Sequence, residues 1–176
     1  MIKSWSCSER GEIFDPFILQ RLCRQMTDSL DAQVVPWKEP GDLTKYLNQK
    51  QLPSVALVAY DSGPDYKPVM RKGAASHWCL VLGTFALEQE KDLQTEGLSF
   101  MAFHGLSRLP IIGSLSDLFQ SNGNLSIKRG FADKNIGYGI LDDSSMVPYH
   151  YPMSSEEEVD RGNKLSGTFI IISQKK

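Results

Sequence analysis

Four apolar stretches of strand length limit what this chain is able to build: SVALVAY (54–60), HWCLVLGTF (77–85), LSFMAFHG (98–105) and SGTFIIIS (166–173). Short runs rich in Val, Ile, Leu and Phe and bounded by turn residues read as buried strands. They fall far short of the ~20 apolar residues that a bilayer-crossing helix needs, so no membrane class is expected. The stretch at 166–173 carries consecutive β-branched residues and reads as a central strand. Those at 77–85 and 98–105, joined by the charged LEQEKDLQTEG, read as an antiparallel hairpin.

Helical signals come mostly before the strands. Asp15-Pro16 reads as an N-cap followed by proline at the first helical position. Phe17, Ile18, Leu19, Leu22, Cys23, Met26 and Leu30 then recur at helical spacing, which predicts an amphipathic helix from Asp15 to about Leu30. A short strand follows at Ala32–Pro36. Gly41-Asp42 opens a second helix, with Leu43, Tyr46 and Leu47 inward, and Leu52-Pro53 closes that region. Ser114 or Ser116 caps a third helix through Leu118 and Phe119 that stops near Asn122-Gly123. DSGPDYKPVMRKGAAS (61–76), with its prolines and glycines, reads as a loop. Helices with an antiparallel sheet give an α+β class, and 176 residues fit a single domain, 1–176.

Charge and cysteine content narrow the function classes. With 19 basic and 21 acidic residues the net charge is −2, which lacks the basic stripe of a nucleic-acid binder. MIKSWSCSERGE has no apolar signal region, so a reducing, cytoplasmic setting is expected. Cys7, Cys23 and Cys79 form no CxxC pair or metal spacing and read as free thiols, Cys23 in the core. No cofactor is implied, since the glycines form neither GxGxxG nor GxxxxGK[ST].

The chemistry-bearing candidate is His77, in RKGAASHWCLVLG, where a loop hands over to a buried strand. Taken alone, this position suits a catalytic base and a structural cap about equally. A base of thiol or serine peptidase chemistry needs a nucleophile in reach, a group that orients the imidazole and donors for the oxyanion. Cys79 lies two residues on, on the same face of the strand, but away from any helix N-terminus, so it reads better as a structural thiol than as the nucleophile of a hydrolase. Cys7 lies in the leader. A metal site of His77, Cys79 and His104 lacks a fourth ligand. His150 in VPYHYP reads as a packed loop histidine, Glu156-Glu157-Glu158 as a solvated face, and Trp78 as a core or cleft wall.

Four blocks, in order along the chain, add a resemblance: GEIFDPFILQRL (11–22), LPSVALVAYDSGPDYKPVMRKGAASHW (52–78), SRLPIIGSLSDLFQSNGNL (107–125), and MVPYHYP with GNKLSGTFIII (146–152 and 162–172). Together they resemble the actin maturation protease family, cysteine peptidases related in fold to papain. The most specific block ends in His77-Trp78, which is similar to the family's "AHW" with its catalytic histidine; Ala74 stands where the family has a second histidine. The resemblance implies a papain-like fold and release of an acetylated methionine or cysteine from the N-terminus of immature actin, with His77 as base and then acid. It places a group that orients the imidazole near His104. It also places the family's nucleophilic cysteine, in a "GPTCG"-like helix start, several dozen residues before Gly11, where this sequence has ten. The expectation is therefore a partial peptidase domain without the nucleophile helix. The alternatives are an inactive module that binds actin or another partner, and a hydrolase that uses Cys79.

Overall fold

The computed structural model of the chain describes residues 15–48, 53–86, 97–105, 107–125 and 165–175. Cys7, the connection 87–96, His150 and Glu156–Glu158 lie outside the described residues. Helix α1 (Pro16–Met26) starts as predicted, with the Phe17 N–H donated to Asp15 Oδ1 at 2.8 Å. It stops short of the predicted Leu30, because Thr27 is extended and Leu30 opens strand β1 (Leu30–Pro36), opposite Gln174. Its buried stripe is also narrower than predicted. Ile18, Leu22 and Cys23 are buried, while Phe17 and Met26 are 47% and 75% exposed. The helix packs chiefly on β1 and one neighbouring strand, so only one side of it meets the sheet.

Helix α2 (Pro40–Asn48) is capped by Asp42 Oδ2, which accepts the N–H groups of Lys38 and Glu39, both at 3.0 Å. It carries Leu43 fully buried, with Tyr46 and Leu47 partly so. Strand β2 (Ser54–Ser62) follows, then a 3₁₀ turn (Pro64–Tyr66), a two-residue β3 (Pro68–Val69), β4 (Ser76–Ala86) and β5 (Leu98–Phe103). The stretch predicted as loop thus holds a turn and a short strand. Strand β6 (Ile111–Ser114), which the sequence analysis did not predict, leads straight into α3 (Leu115–Gly123). Ser114, and not Ser116, is the cap: its Oγ accepts the Asp117 N–H at 3.2 Å. Strand β7 (Thr168–Gln174) ends the described chain.

The result is α+β, a seven-stranded sheet with three helices among the described residues. Its strand order is β1-β7-β2-β4-β5-β6, with β3 added to β2. Every pairing is antiparallel, the predicted β4–β5 hairpin included. β7 is an interior strand, as its β-branched run implies.

Alternation along the strands divides the core between two faces. Val58, Tyr60, Cys79, Val81, Phe100, Phe169 and Ile171 pack with Leu43 of α2 and Leu115 and Leu118 of α3. The opposite residues, Ala32, Leu57, Trp78, Ile170 and Ile172, meet Leu19 and Cys23 of α1. Phe169 anchors the first face, with edge-on contacts to Trp37 and Tyr46, both at 5.6 Å. Phe169→Ala is expected to lower unfolding stability by about 3–5 kcal/mol, and Met26→Ala by about 0.5 kcal/mol or less, in urea titrations. Similar losses for the two would contradict this division of the core.

Candidate active site

The site begins at a buried carboxylate. Asp61, near the end of β2, is fully buried, and its oxygens accept the N–H groups of Arg71 and Gly73 (both 2.9 Å) and of Ala75 (3.0 Å). Gly73 takes φ +85°, a region that glycine enters without penalty, so the loop curls around the carboxylate. Ser121 Oγ of α3 accepts the Asp61 N–H at 3.0 Å and donates to the Val69 carbonyl at 2.6 Å. The loop 70–75 therefore passes round the end of β2, from β3 on one side to β4 on the other, and delivers Ser76 opposite Asp61 and His77 opposite Tyr60.

His77 is half-buried, and its Nε2 is hydrogen-bonded to the backbone carbonyl of His104, just beyond β5. A carbonyl only accepts, so Nε2 carries the proton. In the neutral ring the lone pair then sits on Nδ1, the nitrogen available as a base. The family resemblance implies an orienting group near His104. The structure brings His104 there, but its main chain, not its imidazole, holds His77.

The His104 ring, 3% exposed, stacks on Tyr66 with centroids 4.0 Å apart and planes at 22°, and lies edge-on to the His77 ring at 6.2 Å. Burial lowers its pKa, and charge on His77 lowers it further. Tyr66 reaches this stack from a strained turn. Asp65 (φ +57°) and Tyr66 (φ +61°) are consecutive non-glycine residues in the left-handed region, which costs roughly 1–2 kcal/mol each. Tyr60 holds the turn by donating its hydroxyl to the Tyr66 carbonyl at 2.9 Å, and burial pushes its phenol pKa up to about 12.

Cys79 shares the face of His77, as the strand period requires, but it is sealed in the core opposite Val58, and burial pushes its thiol pKa up. Cys23 is buried on the other face, its thiol pKa raised for the same reason. Neither offers a ready thiolate. Among the described residues no group of three or more His, Cys, Asp or Glu is placed to hold a metal ion. The sequence reading passed over Asp61 and Tyr66. An acidic residue that ends an apolar strand and faces a Gly-containing loop was a usable signal for Asp61; nothing local marked Tyr66.

Two measurements test this geometry. Asp61→Asn sets an amide NH2 against backbone donors and is expected to cost about 2–3 kcal/mol, with faster hydrogen exchange at Arg71, Gly73 and Ala75. Unchanged exchange at those amides would rule out the carboxylate as the loop's organiser. For His104 the folded pKa lies below the unfolded one. As pH falls through the ordinary histidine range the unfolded chain takes up a proton first, so stability is lost on acidification. Denaturation between pH 7.5 and 5 is expected to show a steeper loss for the native chain than for His104→Phe, and equal slopes would contradict the assignment.

Residues 2–85 match the family model described as actin maturation protease-like, C-terminal domain, a span that includes Asp61, Tyr66, His77 and Cys79 but not His104 or α3. The actin maturation protease of Drosophila melanogaster is 29% identical over 109 residues, which cover 62% of this chain and 36% of that protein. The chain thus matches about a third of the relative's length. No solved structure matches. Through these two matches part of the chain is similar to actin maturation protease-like proteins.

Proposed function

We propose that the His77 site is the base-and-acid half of a papain-like thiol aminopeptidase that matures the N-terminus of actin in the cytoplasm. The observation that carries this reading is the His77 Nε2–H held by the His104 carbonyl, which leaves Nδ1 to exchange protons. In the reaction Nδ1 takes the proton of a cysteine thiol, and the thiolate attacks the carbonyl carbon of the acetylated terminal residue. As the C–N bond breaks, the same nitrogen returns that proton to the leaving amine. Nδ1 then deprotonates water, which displaces the thiol from the acyl group and regenerates it. The thiol is to be supplied from outside the described residues, because Cys23 and Cys79 are buried with raised pKa values.

Those buried thiols also favour a second reading, a module that binds the actin N-terminus without cutting it. One experiment separates the readings. In the protein that carries the attacking thiol, His77→Ala is expected to lower kcat/KM on an acetylated actin N-terminal peptide by about 10²–10⁴, followed by mass spectrometry of the released residue. Cys79→Ser is expected to leave turnover near the native rate. Full activity in His77→Ala would reject the base assignment, loss of activity in a folded Cys79→Ser would favour Cys79 as nucleophile, and binding without any release would favour the module.

A further inference from the structure

Tyr66 closes a ring of contacts around His77. His77 Nε2 is bonded to the His104 carbonyl. The His104 imidazole stacks on Tyr66 at 4.0 Å. The Tyr66 carbonyl accepts the Tyr60 hydroxyl at 2.9 Å. Tyr60 is the cross-strand partner of His77, and their rings meet edge-on at 6.4 Å. Each of the four residues thus touches two others of the set.

Tyr66 is the member whose placement is hardest to account for by packing alone. The residue remains 37% exposed, so it does not fill the core. Its backbone, with that of Asp65, sits in the left-handed region that β-carbon-bearing residues avoid, and strain of this kind persists only where surrounding structure imposes it. The turn is pinned on both sides, by the Gly63 N–H to the Lys67 carbonyl at 2.9 Å and the Tyr66 N–H to the Gly63 carbonyl at 3.1 Å. What that conformation achieves is a stacked ring on the imidazole of the residue whose carbonyl holds His77. Gly105, at φ +79°, follows His104 directly, so the chain on that side has a turn and not a strand to fix the carbonyl's direction.

We propose that Tyr66 is a positioning residue for His77: its ring clamps His104 so that the His104 carbonyl stays aimed at Nε2. The proposal builds on the reading of His77 as a base, but its test reads the hydrogen bond directly and needs no activity. The Nε2–H proton of His77 is followed by NMR of the histidine-15N-labelled chain, as its rate of exchange with water. The native chain and Tyr66→Phe, which keeps the ring, are expected to protect it equally. Tyr66→Gly relieves the backbone strain while removing the ring, so a purely structural role predicts equal or better order there. The clamp predicts exchange faster by about an order of magnitude, with the backbone amide spectrum otherwise retained. Tyr66→Asn, whose backbone also tolerates the left-handed region, gives the same comparison if the glycine variant does not fold. Faster exchange in the ringless variants together with protection in Tyr66→Phe supports the clamp whether or not His77 proves to be the base. Native-like protection without the ring overturns it and leaves the base assignment standing.

Discussion

The placement of His77 depends on one buried carboxylate. Without Asp61, the N–H groups of Arg71, Gly73 and Ala75 would need other acceptors in a part-buried loop, and no such group is left unpaired there without a cost of about 1–3 kcal/mol. With it, the loop has one path around the end of β2. That path sets the register in which Tyr60 faces His77 and Val58 faces Cys79. Register in a two-faced sheet is a choice of parity: a slip of one residue would turn His77 towards α1 and bury Trp78 under α2 and α3. The carboxylate therefore selects not only where the histidine stands but which side of the sheet it serves.

The same end of β2 is held from α3. Ser121 bridges the Asp61 N–H and the Val69 carbonyl, and Asn122 Nδ2 donates to the carbonyls of Ala59 (2.9 Å), Leu165 (3.1 Å) and Thr168 (3.1 Å). Both side chains are fully buried. They join the exit of α3 to β2, to β3 and to the start of β7, segments far apart in sequence. Polar groups in a core are specific where apolar ones are not, because each fits only the partners that satisfy it. This accounts for a Ser-Asn pair at a helix end where leucine would bury more apolar surface.

Much of this was legible in the sequence, and the parts that were not share a cause. The α1 start, the β4–β5 hairpin and the interior place of β7 follow from local signals: a Pro at N1, two apolar runs with a charged link, and three consecutive isoleucines. The end of α1 did not, because Leu30 has helical spacing but is captured by pairing with Gln174, a contact across the whole chain. His77 stood out as a histidine at a loop-to-strand junction. Asp61 and Tyr66 did not, since one works through main-chain donors 10 to 14 residues ahead and the other through a conformation that its residue type disfavours. His104 was singled out for its side chain, and its backbone carbonyl is the atom hydrogen-bonded to His77. Reading a sequence weighs side chains, and the partner of His77 Nε2 is a carbonyl, which every residue has.

Cys79 shows what the same sheet does to a side chain one step further along β4. The strand period that sets His77 facing the α2 and α3 side also sets Cys79 there, one step deeper, between Val58 and Val81 in the core. A nucleophile must reach both the imidazole and a substrate carbonyl as a thiolate, and burial disfavours the thiolate at Cys79. The two residues are neighbours because of the sheet's geometry, and the same geometry separates them chemically: the half-buried His77 can be reached from outside, and Cys79 cannot. An imidazole whose Nε2–H is held by a carbonyl keeps its lone pair on Nδ1 in the neutral ring, on a side chain that solvent can reach.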